Sequence, residues 1–263
     1  MGKITISTLD QMKTNGEKFV CITAYDATFA RLIDEAGAET ILVGDSLGMV
    51  LQGHDSTIPV SIDDMTYHTR CVVRSAPESL IIADMPFMSY ATAEQTMTNA
   101  TLLMQAGAQM IKMEGGTWLS DTISNLVERG IPVCAHLGLT PQSVNAFGGY
   151  KVQGRTPKEA KSILANAVEI QDAGASLLVL ECIPSELATD ISDKLDIPVI
   201  GIGAGPGTDG QVLVMHDLLG LSQHTAKFVH NFMDGQSSIQ DGLTAFVEAV
   251  KAGDYPLAEH SYQ

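Results

Sequence analysis

Cysteine, basic residues and charge in general are all scarce in this chain. Four cysteines occur in 263 residues, at Cys21, Cys71, Cys134 and Cys182, spaced 48 to 63 residues apart with no CxxC pair. That spacing argues against a zinc module and fits reduced, buried thiols in a cytoplasmic protein. Only 17% of residues are charged, below the roughly 25% of an average globular chain, a hint that surface is buried between subunits. The 15 Lys and Arg face 31 Asp and Glu, a formal charge of −16. Nucleic acid is gripped by clusters of Lys and Arg and anionic membranes by polybasic segments, so neither partner is expected. No apolar run approaches the roughly 18 residues of a membrane span, and the opening Met1-Gly2-Lys3-Ile4-Thr5-Ile6 carries no apolar signal region. The seven histidines form no HExxH, and GxSxG and Walker A sequences are missing.

Short β-rich runs separated by helical stretches organise what remains. The runs are Phe19–Ala24, Thr40–Gly44, Leu80–Asp84, Gln109–Glu114, Pro132–His136, Ser176–Glu181, Ile197–Gly201 and Gln211–His216. Each is apolar at nearly every position, as a parallel strand covered on both faces must be. Helical segments lie between them, among them Ala93–Gln105, Ser120–Glu128, Lys158–Asp172 and Ser185–Asp193. Eight such strands alternating with helices predict an α/β fold, a single-domain (β/α)8 TIM barrel over residues 1–263. Ile239, Leu243, Phe246, Val247 and Val250 keep helical spacing and predict a C-terminal helical extension. Ala-Gly-Ala recurs around Gly37, Gly107 and Gly174, 70 and 67 residues apart. Each glycine reads as the left-handed residue closing a helix before a strand. The connections Ser46–Ser61 and Leu137–Thr156 are long and follow strands, which puts them on the face of a barrel where active sites sit.

Four acids close strand runs: Asp45, Asp84, Glu114 and Glu181. Any one of them is as readily a helix N-cap or half of a salt bridge. Four at one barrel mouth repel each other unless a cation intervenes. Oxygen donors without a Cys or His pair suit Mg2+, which takes one or two carboxylates and completes its shell with water and substrate oxygens. A remaining carboxylate is then free to act as a general base. Alternation of strands brings Glu181 to the same layer as Asp45 and Glu114. Lys112 is the one basic residue in an apolar strand, two residues before Glu114 and on the same inward face. It reads as a structural ion pair, a carboxylate-binding ammonium or a Schiff-base lysine. His136 ends the fifth run, placed to bond a substrate oxygen or to serve the structure. Residues Gly205-Pro206-Gly207-Thr208-Asp209-Gly210 match GxGxxG in form, but lie at the seventh strand with a proline where a helix should open. A part in the ligand mouth is expected there rather than a dinucleotide site.

Several longer stretches resemble the ketopantoate hydroxymethyltransferase family. They include Val43-Gly44-Asp45-Ser46-Leu47-Gly48, Ala83-Asp84-Met85-Pro86-Phe87 and Ile111-Lys112-Met113-Glu114-Gly115-Gly116. His136-Leu137-Gly138-Leu139-Thr140-Pro141-Gln142-Ser143, Leu178-Val179-Leu180-Glu181 and Asp209-Gly210-Gln211-Val212-Leu213-Val214-Met215-His216-Asp217 extend the match over nearly the whole chain. The resemblance implies a (β/α)8 barrel assembled as a homodecamer, acting first in pantothenate biosynthesis. It implies hydroxymethyl transfer from 5,10-methylenetetrahydrofolate to 3-methyl-2-oxobutanoate. It also implies one Mg2+ per subunit at Asp45 and Asp84, with Glu114 ligating directly or through water. The keto acid would be held by that metal, Ser46 and Lys112, with His136 beside it, and Glu181 would remove its C3 proton. One rival is a metal-dependent lyase or mutase of the phosphoenolpyruvate mutase and isocitrate lyase type, which needs no folate. Another is a binding protein that has kept the barrel without turnover.

Overall fold

The structure is a computed structural model that describes residues 2–223 and 225–263. Eight strands, β1 (Phe19–Thr23), β2 (Thr40–Val43), β3 (Leu80–Asp84), β4 (Met110–Glu114), β5 (Val133–Gly138), β6 (Leu177–Glu181), β7 (Val199–Ile202) and β8 (Gly210–Leu213), form a closed barrel in sequence order. Every neighbouring pair is parallel, including β8 with β1. The barrel is the one expected from the count of apolar runs. Its strands are buried at every position except Gly138 and Glu181, which are register partners on β5 and β6. The wall thus opens toward solvent at the end of β6.

Helices α1 (Ile6–Asn15), α2 (Ala27–Ala36), α3 (Leu47–Val50), α4 (Ile62–Val73), α5 (Ala93–Ala106), α6 (Ser120–Val127), α7 (Val144–Phe147), α8 (Pro157–Asp172), α9 (Ser185–Lys194), α10 (Met215–Leu218) and α11 (Ile239–Ala252) complete the fold. The longer ones pack side by side around the barrel, α11 closing against α2 and β1. Gly37, Gly107 and Gly174 have φ of 84°, 110° and 104°, the left-handed turn the Ala-Gly-Ala repeat implied. The two long connections are not structureless. The first carries α3, and the second carries a 3-10 turn at Pro141–Ser143 followed by α7. No helix among the described residues is long and apolar enough to cross a membrane.

Two expectations fail. The last run ends at Leu213 rather than His216, because Met215 N donates to Thr23 Oγ1 at 2.9 Å and the chain turns into α10. The glycine-rich segment after β7 does not reach the ligand mouth. It carries no helix and instead threads back to β8 pressed against α9. A Cβ at Gly205 would lie 1.9 Å from Ser185 Oγ, and one at Gly207 would lie 2.0 Å from Thr189 Oγ1. The glycines are there for this close approach, and Asp209 anchors the segment through Lys13 at 2.7 Å and Val199 N at 2.8 Å.

Candidate active site

Asp45, Ser46, Asp84, Lys112, Glu114, His136 and Glu181 all line one cavity of about 810 Å³ at the C-terminal ends of the strands. Parallel register explains much of the meeting. Asp84 on β3 lies level with Lys112 on β4, and Glu114 lies level with His136 on β5. Lys112 Nζ donates to Asp84 Oδ1 at 2.5 Å, with both side chains buried. Asp84 Oδ2 accepts from Asp45 N at 3.0 Å. His136 stands between two carboxylates, Nδ1 at 3.5 Å from Glu114 Oε1 and Nε2 at 3.3 Å from Glu181 Oε2. Neither contact has hydrogen-bond geometry, so charge rather than a directed bond holds this group together.

Glu181 is set apart from the other acids. Its side chain is 15% exposed, against 3% for Asp84 and 2% for Glu114. The chain turns sharply around it. Cys182, the next residue, has φ of 47°, and a Cβ at Gly138 would lie 2.3 Å from Glu181 O. A left-handed non-glycine residue costs on the order of 1 kcal/mol or more and is found where structure holds a functional group in place.

Burial, with Asp84 and Glu114 alongside, holds the Asp45 carboxyl well above the ordinary aspartate range. Burial would also raise Glu114, but His136, Lys112 and the Gln142 amide outweigh it and bring that carboxyl down. Burial would strip Lys112 of its proton, yet Asp84, Glu114 and Asp45 reverse this and push it above the usual lysine value. His136 is drawn down by burial and by Lys112, but Glu114 and Glu181 prevail and lift it to about 9. The cavity floor is therefore an ion network in which one ammonium faces three buried acids.

A divalent cation fits this floor. The donors are carboxylate oxygens, and Asp45 Oδ1 has no hydrogen-bond partner among the described residues while Oδ2 is bonded. The strained ionisation of Asp45 is what a bound cation relieves. Among the described residues no three His, Cys, Asp or Glu are grouped so as to hold a metal ion; an ion here would rest on one or two carboxylates, as Mg2+ commonly does, with water and substrate oxygens completing its shell.

Three further residues, none of them a candidate on sequence grounds, shape the site. Tyr25 is buried, donates from its hydroxyl to Thr23 Oγ1 at 2.8 Å and lies 2.9 Å from Ser46 Oγ. Gln142 bridges Asp45 and Glu114, and Tyr90 OH donates to its Oε1 at 2.6 Å. A tyrosine or glutamine in a loop carries no periodic or charge signal, so only the spatial arrangement exposes them.

The family model for ketopantoate hydroxymethyltransferase matches residues 3–258. A curated relative from Shewanella loihica, named 3-methyl-2-oxobutanoate hydroxymethyltransferase, is 59% identical and covers 100% of both chains. One of the same name from Pseudomonas fluorescens is 59% identical over 100% of this chain and 99% of its own. Solved structures of similar shape include phosphonopyruvate hydrolase, with a TM-score of 0.62, 16% identity and 84% of each chain covered. Another is 2,3-dimethylmalate lyase, a PEP mutase/isocitrate lyase superfamily member, with a TM-score of 0.58, 17% identity and 79% and 80% coverage. At those identities the likeness is one of fold alone. The rival class thus shares the barrel, while the sequence itself, matched over its whole length, belongs to the ketopantoate hydroxymethyltransferase family.

Proposed function

We propose that this enzyme transfers the hydroxymethyl unit of 5,10-methylenetetrahydrofolate to 3-methyl-2-oxobutanoate, with Glu181 as general base. The products are 2-dehydropantoate and tetrahydrofolate, with one water supplying the balance. The observation that carries the reading is the division of labour among the acids. Asp45, Asp84 and Glu114 are buried and bonded to protein donors, whereas no hydrogen bond to the Glu181 carboxylate is found among the described residues. A carboxylate that opens into the cavity is free to take a proton from a bound substrate.

Asp45 and Asp84 would hold Mg2+, with Glu114 contributing directly or through water. When bound, the ion supplies a Lewis acid that draws charge toward the keto oxygen of the substrate. Lys112, kept charged by its acid neighbours, suits the keto-acid carboxylate and not a Schiff base, which needs a neutral amine. Ser46, held by Tyr25, and His136 offer hydrogen bonds to substrate oxygens. Glu181 removes the C3 proton and the electron pair moves onto the keto oxygen as an enolate. The folate methylene carbon then gains a bond to C3 and the oxygen of one water as its two C–N bonds break, and the C3 proton and the two water protons end on the two folate nitrogens and the new hydroxyl. Met49, Val50 and Tyr150 from the long connections line the cavity above the acids and would keep bulk water from the enolate. By the same family resemblance the chain acts first in pantothenate biosynthesis, as a homodecamer in the cytoplasm.

The test is formation of dehydropantoate from keto acid and methylenetetrahydrofolate, with and without Mg2+. Product that depends on both folate and Mg2+ supports the proposal. Carbon–carbon cleavage of a keto acid without folate would turn the reading toward the lyase and mutase class.

A further inference from the structure

The cavity that holds the acids continues past β7 to the ends of β8 and β1. Its volume is about 810 Å³, the size of a site for a drug-sized ligand, and a five-carbon keto acid fills only a fraction of it. The two ends are built differently. The keto-acid end is an ion network, whereas Ile202, Val212, Val214, Leu221 and Phe228 line the other. Leu221 is 62% exposed, so part of this apolar wall has no cover. Phe228 is a fixed part of it, since its carbonyl accepts from Tyr255 OH and its ring lies so near Gly203 that a Cβ there would meet Cδ1 at 2.6 Å. Tyr25 joins the two ends. Its hydroxyl lies 2.9 Å from Ser46 Oγ, and its ring centroid is 5.7 Å from that of His216.

Among these apolar side chains stands one partly buried acid, Asp217 on α10. Asp55, the other acid lining the cavity away from the ion network, is exposed on the loop before α4. Burial holds the Asp217 carboxyl above the ordinary aspartate value, offset only in part by the Ser222 hydroxyl and the His216 ring. Among the described lining residues the only Lys or Arg is Lys112, at the far end. A carboxylate placed so is stabilised by a ligand that brings N–H donors. The pteridine ring of a folate is flat and apolar on both faces, and one edge carries two parallel donors, the 2-amino group and N3–H. Its glutamate tail carries carboxylates, which Asp217 repels, so the ring and not the tail belongs at this end. We infer, on the basis of the folate reading proposed above, that Asp217 binds the donor edge of the pteridine between these apolar walls and so turns the opposite, N5 edge toward the keto acid.

The experiment is steady-state kinetics of the full-length enzyme carrying Asp217→Asn, which keeps the shape and replaces one acceptor oxygen by a donor. Hydrogen bonds to a charged group account for about 10–100-fold in affinity, so the KM for methylenetetrahydrofolate should rise by about that factor. The KM for keto acid, and the folate-free exchange of its C3 hydrogen with deuterated water, should keep their wild-type values, because they use the other end of the cavity. An unchanged KM for the folate, or exchange that falls in step with it, overturns the assignment. A second measurement needs no variant. Wild type is titrated calorimetrically with tetrahydrofolate and with its analogue in which methyl replaces the 2-amino group. The natural ring should bind at least about tenfold tighter, and equal affinities overturn the assignment. Wild type that consumes keto acid with no need of methylenetetrahydrofolate removes the folate reading itself, whereas a folate-dependent wild type with an unaltered Asp217→Asn removes only the role of Asp217.

Discussion

On the β2–β4 side of the barrel mouth, acids are tied down, while on the β5–β6 side they are held loosely. Asp45, Asp84 and Glu114 accept bonds from backbone N–H groups, Lys112 and Gln142 at 2.5 to 3.0 Å. His136 and Glu181 face each other at 3.3 Å without hydrogen-bond geometry. The two sides use similar residues and differ in how far their lone pairs are already spent. Groups that bind charge work best when fixed in advance, since no reorganisation is then needed as charge develops. A group that must accept a proton needs a lone pair in reach of the substrate. Under the proposed mechanism, the contrast separates a holding side from a reacting side.

Glu181→Gln tests the reacting side and should have the largest effect. Shape is kept and the proposed base removed, so exchange of the C3 hydrogen of 3-methyl-2-oxobutanoate with deuterated water, followed by NMR, should slow by roughly 10²–10⁴-fold. Wild-type exchange in that variant would erase the distinction between the two sides. Asp84→Ala tests the holding side. It strands Lys112 as a buried unpaired charge, which typically costs about 3–5 kcal/mol, and chemical denaturation should show that loss together with weakened Mg2+ binding. Unchanged stability would mean that the Lys112–Asp84 pair contributes nothing.

His136 stands at the border and gives a pH signature in the metal-free protein. Its value is raised from 6.5 to about 9, so the folded state prefers the charged ring. The resulting stability is fully present below pH 6.5 and is lost as pH rises through about 9. The shift sets an upper bound of about 3 kcal/mol. Unfolding free energies on either side of that window should differ, and His136→Gln should flatten the difference. A flat wild-type profile would show that His136 is held neutral. The smallest expected effect is that of Lys112→Met on substrate binding. Loss of a charged hydrogen bond, roughly 1.5–3 kcal/mol, should raise the KM for keto acid about 10–100-fold. Borohydride trapping of a substrate adduct on wild-type Lys112 would overturn the ammonium role.

Much of this arrangement is legible in the amino-acid sequence. Apolar runs such as Leu80–Asp84 and Met110–Glu114 declare strands because a wall covered on both faces must be apolar throughout. The acids stand out against that background because burying a charge is costly and therefore informative. Other elements leave no such mark. α1 buries only Leu9 and so has almost no apolar stripe to read. The glycines of residues 205–210 suggest a ligand loop, whereas Gly205 and Gly207 answer to the side chains of Ser185 and Thr189 on a different element, α9.

By itself, then, the sequence determined the barrel, the acids at its mouth and the lone inward lysine, since periodicity and the cost of buried charge are local properties of a chain. It also placed Lys112 and Glu114 on one face, because side chains two apart on a strand point the same way. Which acid Lys112 pairs with was decided only by tertiary structure. The β3–β4 register sets Asp84 level with Lys112, and Glu114, two residues further along, is left to meet His136 across the β4–β5 pair. Likewise Gln142 reaches Asp45 across 97 residues of sequence only because the loop after β5 folds back over the mouth. Register and loop return are properties of the closed barrel, in which each strand's alignment is fixed by both neighbours at once, and no single segment of the chain contains them.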